Sequence, residues 1–343
     1  MRPVALAAAL LLATVAAAAS GQPRSPAAHY AVAGSIAGPD GGWDLLAVDA
    51  GARRLYIART ANVMAVDLRH NDRVDALGTV QRGHAVVPIP GTGRVLVTSG
   101  TDNRARIYDG RTGHLAADVE VGHDPDGAIW DARLHAVLVV NAEGGSVSVV
   151  DPVRGRVIRT IALAPGLELA TLDENGLLYI NNEDENVVHV ADPATGRVLA
   201  AIPLTGCEHP TGLGYDRIGH RLISACGNGK AAVTDVVTRR VVQLIDIGQG
   251  PDGLVVDAAR GLAFVPCGRD GELDVIPLRG AGPLAVADRV RTEVGARTIA
   301  LDPVTGNLYL PAARFGPQPA GGGRRPMIPG SFHILVVAPE RHR

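Results

Sequence analysis

Asp44, His84, Asp126, Glu168, His209, Asp252 and Arg297 are the residues of this 343-residue chain whose types and recurrence suit ligand chemistry. Gathered at one opening, carboxylates, imidazoles and a guanidinium would hold a cation or a small polar ligand. Crowded carboxylates resist full ionisation unless a cation intervenes, so such a cluster favours positive charge in its middle. Arg297 is the fixed positive charge of the set and suits a carboxylate or phosphate on the same ligand. The same acids and bases would serve hydrolysis, with or without a bound divalent ion. None of these residues forms a local motif. The chain has no nucleophile elbow, phosphate loop, EF-hand loop or Cys-x-x-Cys-His. No organic cofactor is expected, and a divalent cation is the one inorganic group the set could take. A fold must therefore bring these distant positions together.

The elements that could do so repeat. The segments "LLAVDAGARRLYIA", "AIWDARLHAVLVVN", "LGYDRIGHRLISAC" and "IALDPVTGNLYLPA" each read as an apolar run, a tight turn and a second apolar run. Anchored on Asp49, Pro90, Asp131, Asp173, Asp216, Asp257 and Asp302, the motif occurs seven times at steps of 41, 41, 42, 43, 41 and 45 residues. A second hairpin follows in each period, with turns at Asp67, Asp109, Asp151, Asp192 and Asp235; "NVVHVADPATGRVLAAIPL" is one copy. Four short strands in a period of about 40–45 residues is the arithmetic of a propeller blade. Helical 3.6-residue periodicity is missing. The repeated Asp and Gly residues are explained by turn chemistry, since Asp side chains bond the backbone of tight turns.

The last period ends with its third strand in "FHILVVAP", while "HYAVAGSIAG" near the start resembles a fourth strand. The chain is therefore read as all-β: a seven-bladed β-propeller of four-stranded antiparallel blades, closed by the N-terminal strand pairing into the C-terminal blade. One domain spans residues 30–339. Counting five residues back from each anchor gives Asp44, Ala85, Asp126, Glu168, Thr211, Asp252 and Arg297, with His84, His123, Asp124, Glu208 and His209 just outside. All lie where the outer strand of one blade connects to the inner strand of the next, and so around one mouth of the channel. The loop "RFGPQPAGGGRRPMIPGS", from Arg314 to Ser331, faces the same side and offers Arg314, Arg324 and Arg325 to an anion.

Cys207 and Cys226 fall on the same face of one blade and are a disulfide candidate in an oxidising compartment. Cys267 takes the place of Cys226 one blade later and leaves an odd thiol. Cys207, His209, Cys226 and Cys267 form an alternative zinc set, with spacing unlike the usual metal motifs.

"GHDPDGAIWD", "VVDPVRGRVI", "GCEHPTGLGYD" and "LDPVTGNLYLPA" resemble the bacterial YncE-like propellers built from YVTN-type repeats, over essentially the whole chain after its leader. The resemblance implies the propeller and export; it implies little about chemistry, because fold does not fix function.

Residues 1–21 read as a secretory signal peptide: Arg2, an apolar run from Val4 to Ala19, and small residues suited to cleavage after Ala19 or Gly21. That run is short for a membrane span, and the formal net charge of −2 argues against nucleic acid. The expected protein is a periplasmic or extracellular monomer, a non-catalytic binding or scaffold propeller. It would take a small polar ligand or a protein partner at the mouth formed by the interblade loops. A lactonase-like or metal-assisted hydrolase using the same residues is the alternative.

Overall fold

A computed structural model describes residues 29–69, 73–280, 282–319, 321–323 and 325–340. The leader over residues 1–21 and Arg324 lie outside the described residues. Among the described residues, no helix is long and apolar enough to cross a membrane.

Seven four-stranded antiparallel sheets make up the fold. Each of the first six is a meander in which consecutive strands pair in order. The innermost strands of blades 1 to 7 are Trp43–Asp49, Gly83–Ile89, Pro125–Asp131, Leu167–Leu172, Pro210–Asp216, Val255–Asp257 and Ala300–Leu301. Each lies beside the next, and the seventh returns to the first, which closes the ring around a central channel. Blade 7 is completed from the other end of the chain. Tyr30–Ala37 pairs antiparallel with His333–Pro339, from Tyr30 opposite Pro339 to Ala37 opposite His333.

Burial explains why these segments are strands at these depths. The second strand of blade 3, Ala136–Asn141, is buried at every position because both its faces meet neighbouring blades. The outermost strand of the same blade, Arg156–Ala162, alternates exposed and half-buried residues, as a solvent-facing edge should. The apolar core therefore lies between blades. Phe264, Leu308, Leu310 and Val337 pack with Tyr30 between blades 6 and 7. The Tyr30 and Phe264 rings meet edge to face at 4.8 Å, so the N-terminal strand enters that core as well as the ladder.

The recurring Asp residues tie down the turns. Asp131 Oδ1 accepts from the Arg133 and Leu134 amides at 2.8 and 3.1 Å, and Asp151 Oδ1 from those of Val153 and Arg154, both at 3.0 Å. At the closure, the buried Arg59 guanidinium donates to the carbonyls of Pro39, Gly41 and Gly42 at 2.8, 3.0 and 2.9 Å. It also lies 4.0 Å over the Phe332 ring. Asp40 accepts from the Gly330 and Phe332 amides at 2.6 and 3.2 Å. These bonds fasten the segment after the N-terminal strand to the end of the long blade 7 loop.

Candidate ligand site at the channel mouth

The inner strands of blades 1 to 6 start with the same irregularity. In blade 1, Trp43 faces Arg59 and Leu46 faces Ile57, so Asp44 and Leu45 fall in a bulge. The break recurs between Gly83 and Val86, Pro125 and Gly127, Leu167 and Ala170, and Pro210 and Leu213. In blade 6, Pro251 pairs alone with Cys267 and regular pairing resumes at Val255. A bulge frees one residue from the ladder and re-aims its side chain. Two residues before the bulged position, the backbone is left-handed at Arg82, Asp124, Gly166, His209, Gly250 and Gly295. Glycine takes that conformation freely; Arg82, Asp124 and His209 hold it against side-chain crowding.

The bulged positions, in order round the mouth, are Asp44, His84, Asp126, Glu168, Thr211 and Asp252, and Arg297 takes the equivalent place before the short inner strand of blade 7. The structure corrects the register of blade 2, where His84 and not Ala85 occupies the ring. Counting from Pro90 misplaced the position because the inner strand ends at Ile89, which faces Arg94 as Asp49 faces Arg54. Both pairs enclose a four-residue turn, and counting from that turn places His84 in the ring. Thr211 joins the ring as its seventh, neutral member.

His84 is the tightest node. Its Nδ1 lies 2.7 Å from Asp44 Oδ2 and 2.7 Å from Asp126 Oδ1. The ligand atoms of these three residues lie within 4.8 Å of one another, a spacing that suits a metal ion. Burial alone would lower the His84 pKa. Hydrogen bonds and charge from Asp126 and Asp44 outweigh it and push the imidazole up to about 10. The imidazolium thus acts as the cation between its two neighbours. Its Nε2 is buried without a hydrogen-bond partner, 4.0 Å from Asp124 Oδ1. Asp124 also receives Arg82 at 3.5 Å.

On the far side of the ring, Arg297 Nε meets Asp252 Oδ2 at 2.8 Å. Burial still raises Asp252 to about 6, with Arg297 opposing and the charges of Asp44, Asp126 and Glu183 adding to the rise. Glu168 lies between these two ion pairs. Its carboxyl has no hydrogen-bond or salt-bridge partner among the described residues. Burial, then the charges of Asp126, Asp252, Glu183 and Asp44, push it up to about 9. Glu183, which follows the second strand of blade 4, was not legible as part of this site because it lies outside the repeated position.

The other sequence candidates resolve as follows. His209 is exposed, and its left-handed backbone, held by a 2.8 Å bond from its amide to Asn186 Oδ1, shapes the loop before the Thr211 bulge. Cys207 and Cys226 are joined, with Cα atoms 5.4 Å apart. The zinc set of Cys207, His209, Cys226 and Cys267 is therefore not assembled: two of its sulfurs bind each other. Cys267 is buried with its thiol 3.8 Å from Asp274 Oδ2, and burial pushes its pKa upward. Arg314 and Arg325 are exposed on the long loop, whose Phe315 and Met327 pair across it.

No protein-family model matches the chain, and no curated protein matches its sequence. Solved structures do share the fold. A chain of the Kuenenia stuttgartiensis hydrazine synthase is 14% identical with a TM-score of 0.69, over 80% of this chain and 94% of that one. A chain of a mitotic checkpoint complex is 14% identical with a TM-score of 0.75, over 97% and 99%. A streptogramin B lyase is 11% identical with a TM-score of 0.68, over 91% and 99%. At these identities the likeness shows the seven-bladed propeller, and not the narrower YncE-like grouping.

Proposed function

We propose that this chain is an exported binding propeller that holds a cationic ligand at the ring of bulged residues. The observation that carries the reading is the arrangement of charge round that ring. One imidazolium, His84, is shared by Asp44 and Asp126, Arg297 pairs with Asp252, and Glu168 has no counter-ion. A cation at Glu168 would offset the burial and the neighbouring carboxylates that together keep it protonated. Concave sites with a few convergent polar groups are where ligands bind. Residues 1–21 support export, and the Cys207–Cys226 bond is of the kind that oxidising compartments preserve.

Calorimetric titration with two cations of different shape, Mn²⁺ and spermidine, tests the reading. At least one should bind the full chain saturably, and Glu168→Gln and Asp126→Asn should each weaken it about tenfold, the scale of one charge-assisted contact. No saturable heat from either cation, or affinity unchanged in both variants, would refute it.

A second reading, a lactonase-like or metal-assisted hydrolase, is favoured by the separation of Glu168, near 9, from Asp252, near 6. Carboxyls pushed apart in this way suit acid and base roles. A lyase is also among the proteins that share the architecture. Turnover of lactone or ester probes that disappears in Glu168→Gln would establish this alternative.

A further inference from the structure

We propose that the ring and the channel beneath it form one amphipathic site for an organic ammonium, with the cationic head on the Glu168–Thr211–Asp252 arc and an apolar body in the channel. This rests on the cation-binding reading and adds the other half of the ligand. The channel holds a cavity of about 420 Å³ whose wall includes Leu46, Leu172, Leu213, Leu254, Ile299 and Leu301. Leu46, Leu213, Leu254 and Ile299 each stand two residues after a ring position, Asp44, Thr211, Asp252 and Arg297 respectively. At roughly 3.3 Å per strand residue, the apolar tier begins about 7 Å below the ring.

The wall is also one-sided. Its residues come from blades 1, 4, 5, 6 and 7, and none comes from blades 2 and 3. The apolar surface therefore lies under the arc where Glu168 lacks a counter-ion, and reaches the His84 cluster only at blade 1, below Asp44. Charge complementarity selects the head. A carboxylate or phosphate would meet Glu168, Asp252 and Asp126 at once, and a neutral amphiphile would leave Glu168 unpaired. A metal ion would use the carboxylates but not the leucine wall. An ammonium uses both: its N–H groups donate to the Glu168 carboxylate and the Thr211 hydroxyl oxygen. The Thr211 hydroxyl donates its own hydrogen to the Pro251 carbonyl at 3.3 Å, which leaves its lone pairs free to accept. A cavity of this volume is at the small end of ligand sites and suits a short chain or a single ring.

Calorimetry with ethyl-, butyl- and hexylammonium, and with 1-hexanol and hexanoate as neutral and anionic controls, decides the matter. On the unaltered chain, affinity should rise about fourfold per added methylene, the value of burying one such group. Neither control should bind saturably. Glu168→Gln should weaken all three ammonium ions by a similar factor, whereas Leu254→Asn should flatten the dependence on chain length. Affinity independent of chain length, or 1-hexanol binding as tightly as hexylammonium, would overturn the proposal. Saturable Mn²⁺ or spermidine binding without any response to hexylammonium would overturn it too, yet leave the cation-binding reading intact. Silence from all of these cations would remove both.

Discussion

Glu168 is a residue whose protonation works against folding at neutral pH. Its pKa is pushed from 4.5 to about 9, mainly by burial and next by neighbouring carboxylates. The folded state keeps a proton that the unfolded chain releases, so stability falls as pH rises from about 4.5 to about 9. Glu168→Gln should therefore raise the melting temperature at pH 8, by about 2–4 °C for a gain of 1 kcal/mol, and change it little at pH 4. Equal melting temperatures of variant and parent at pH 8 would contradict the assignment. His84 acts in the same direction over a higher range. Its pKa rises from 6.5 to about 10, so its stabilising ion pairs are complete below 6.5 and are lost as pH climbs through 10. Most ring residues were legible in the sequence because they recur at one offset from a turn. Their partnerships were not: that His84 bridges two carboxylates while Glu168 bridges none depends on which neighbour each side chain meets across a blade boundary.

At the scale of the element, the inner strand combines a left-handed residue, a bulge and then regular pairing. Hydrophobic alternation announced the strands and Asp-Gly chemistry announced their turns, but bulges leave no such mark in a single repeat. Pro90 shows why. It follows Ile89 in the turn, and anchoring the repeat on it moved the ring by one residue in blade 2. In blade 5 the loop before the bulge is fastened by the Cys207–Cys226 bond, which spans 19 residues. Closing a loop of that length is worth about 3 kcal/mol through the unfolded state. The Cys207→Ser/Cys226→Ser double variant should lose about that much in urea unfolding, and non-reducing peptide mapping of the parent should recover the linked pair. Parent and double variant unfolding at the same urea concentration would show that the bond does not brace the blade.

For the whole molecule, closure makes the two ends of the chain interdependent. Tyr30–Ala37 supplies seven paired positions to the final strand, and Tyr30 adds its ring to the core between blades 6 and 7. A chain shortened to begin at Gly38 should melt at lower temperature and over a broader range than the parent, as seen by calorimetry. An unchanged, equally sharp transition would mean that blade 7 is stable with three strands. The count of blades also sets a limit on their mouth. Of its seven positions four are carboxyls, two are cations and one is the neutral Thr211, so carboxyls outnumber cations. The ring carries carboxyls at Asp44, Asp126, Glu168 and Asp252, cations at His84 and Arg297 and a hydroxyl at Thr211. No cation stands between Asp126 and Glu168, and Glu168 keeps its proton up to about pH 9. Each blade supplies one ring position, so the two cations pair with only part of the four carboxyls, and Glu168 is the one left without a partner among the described residues.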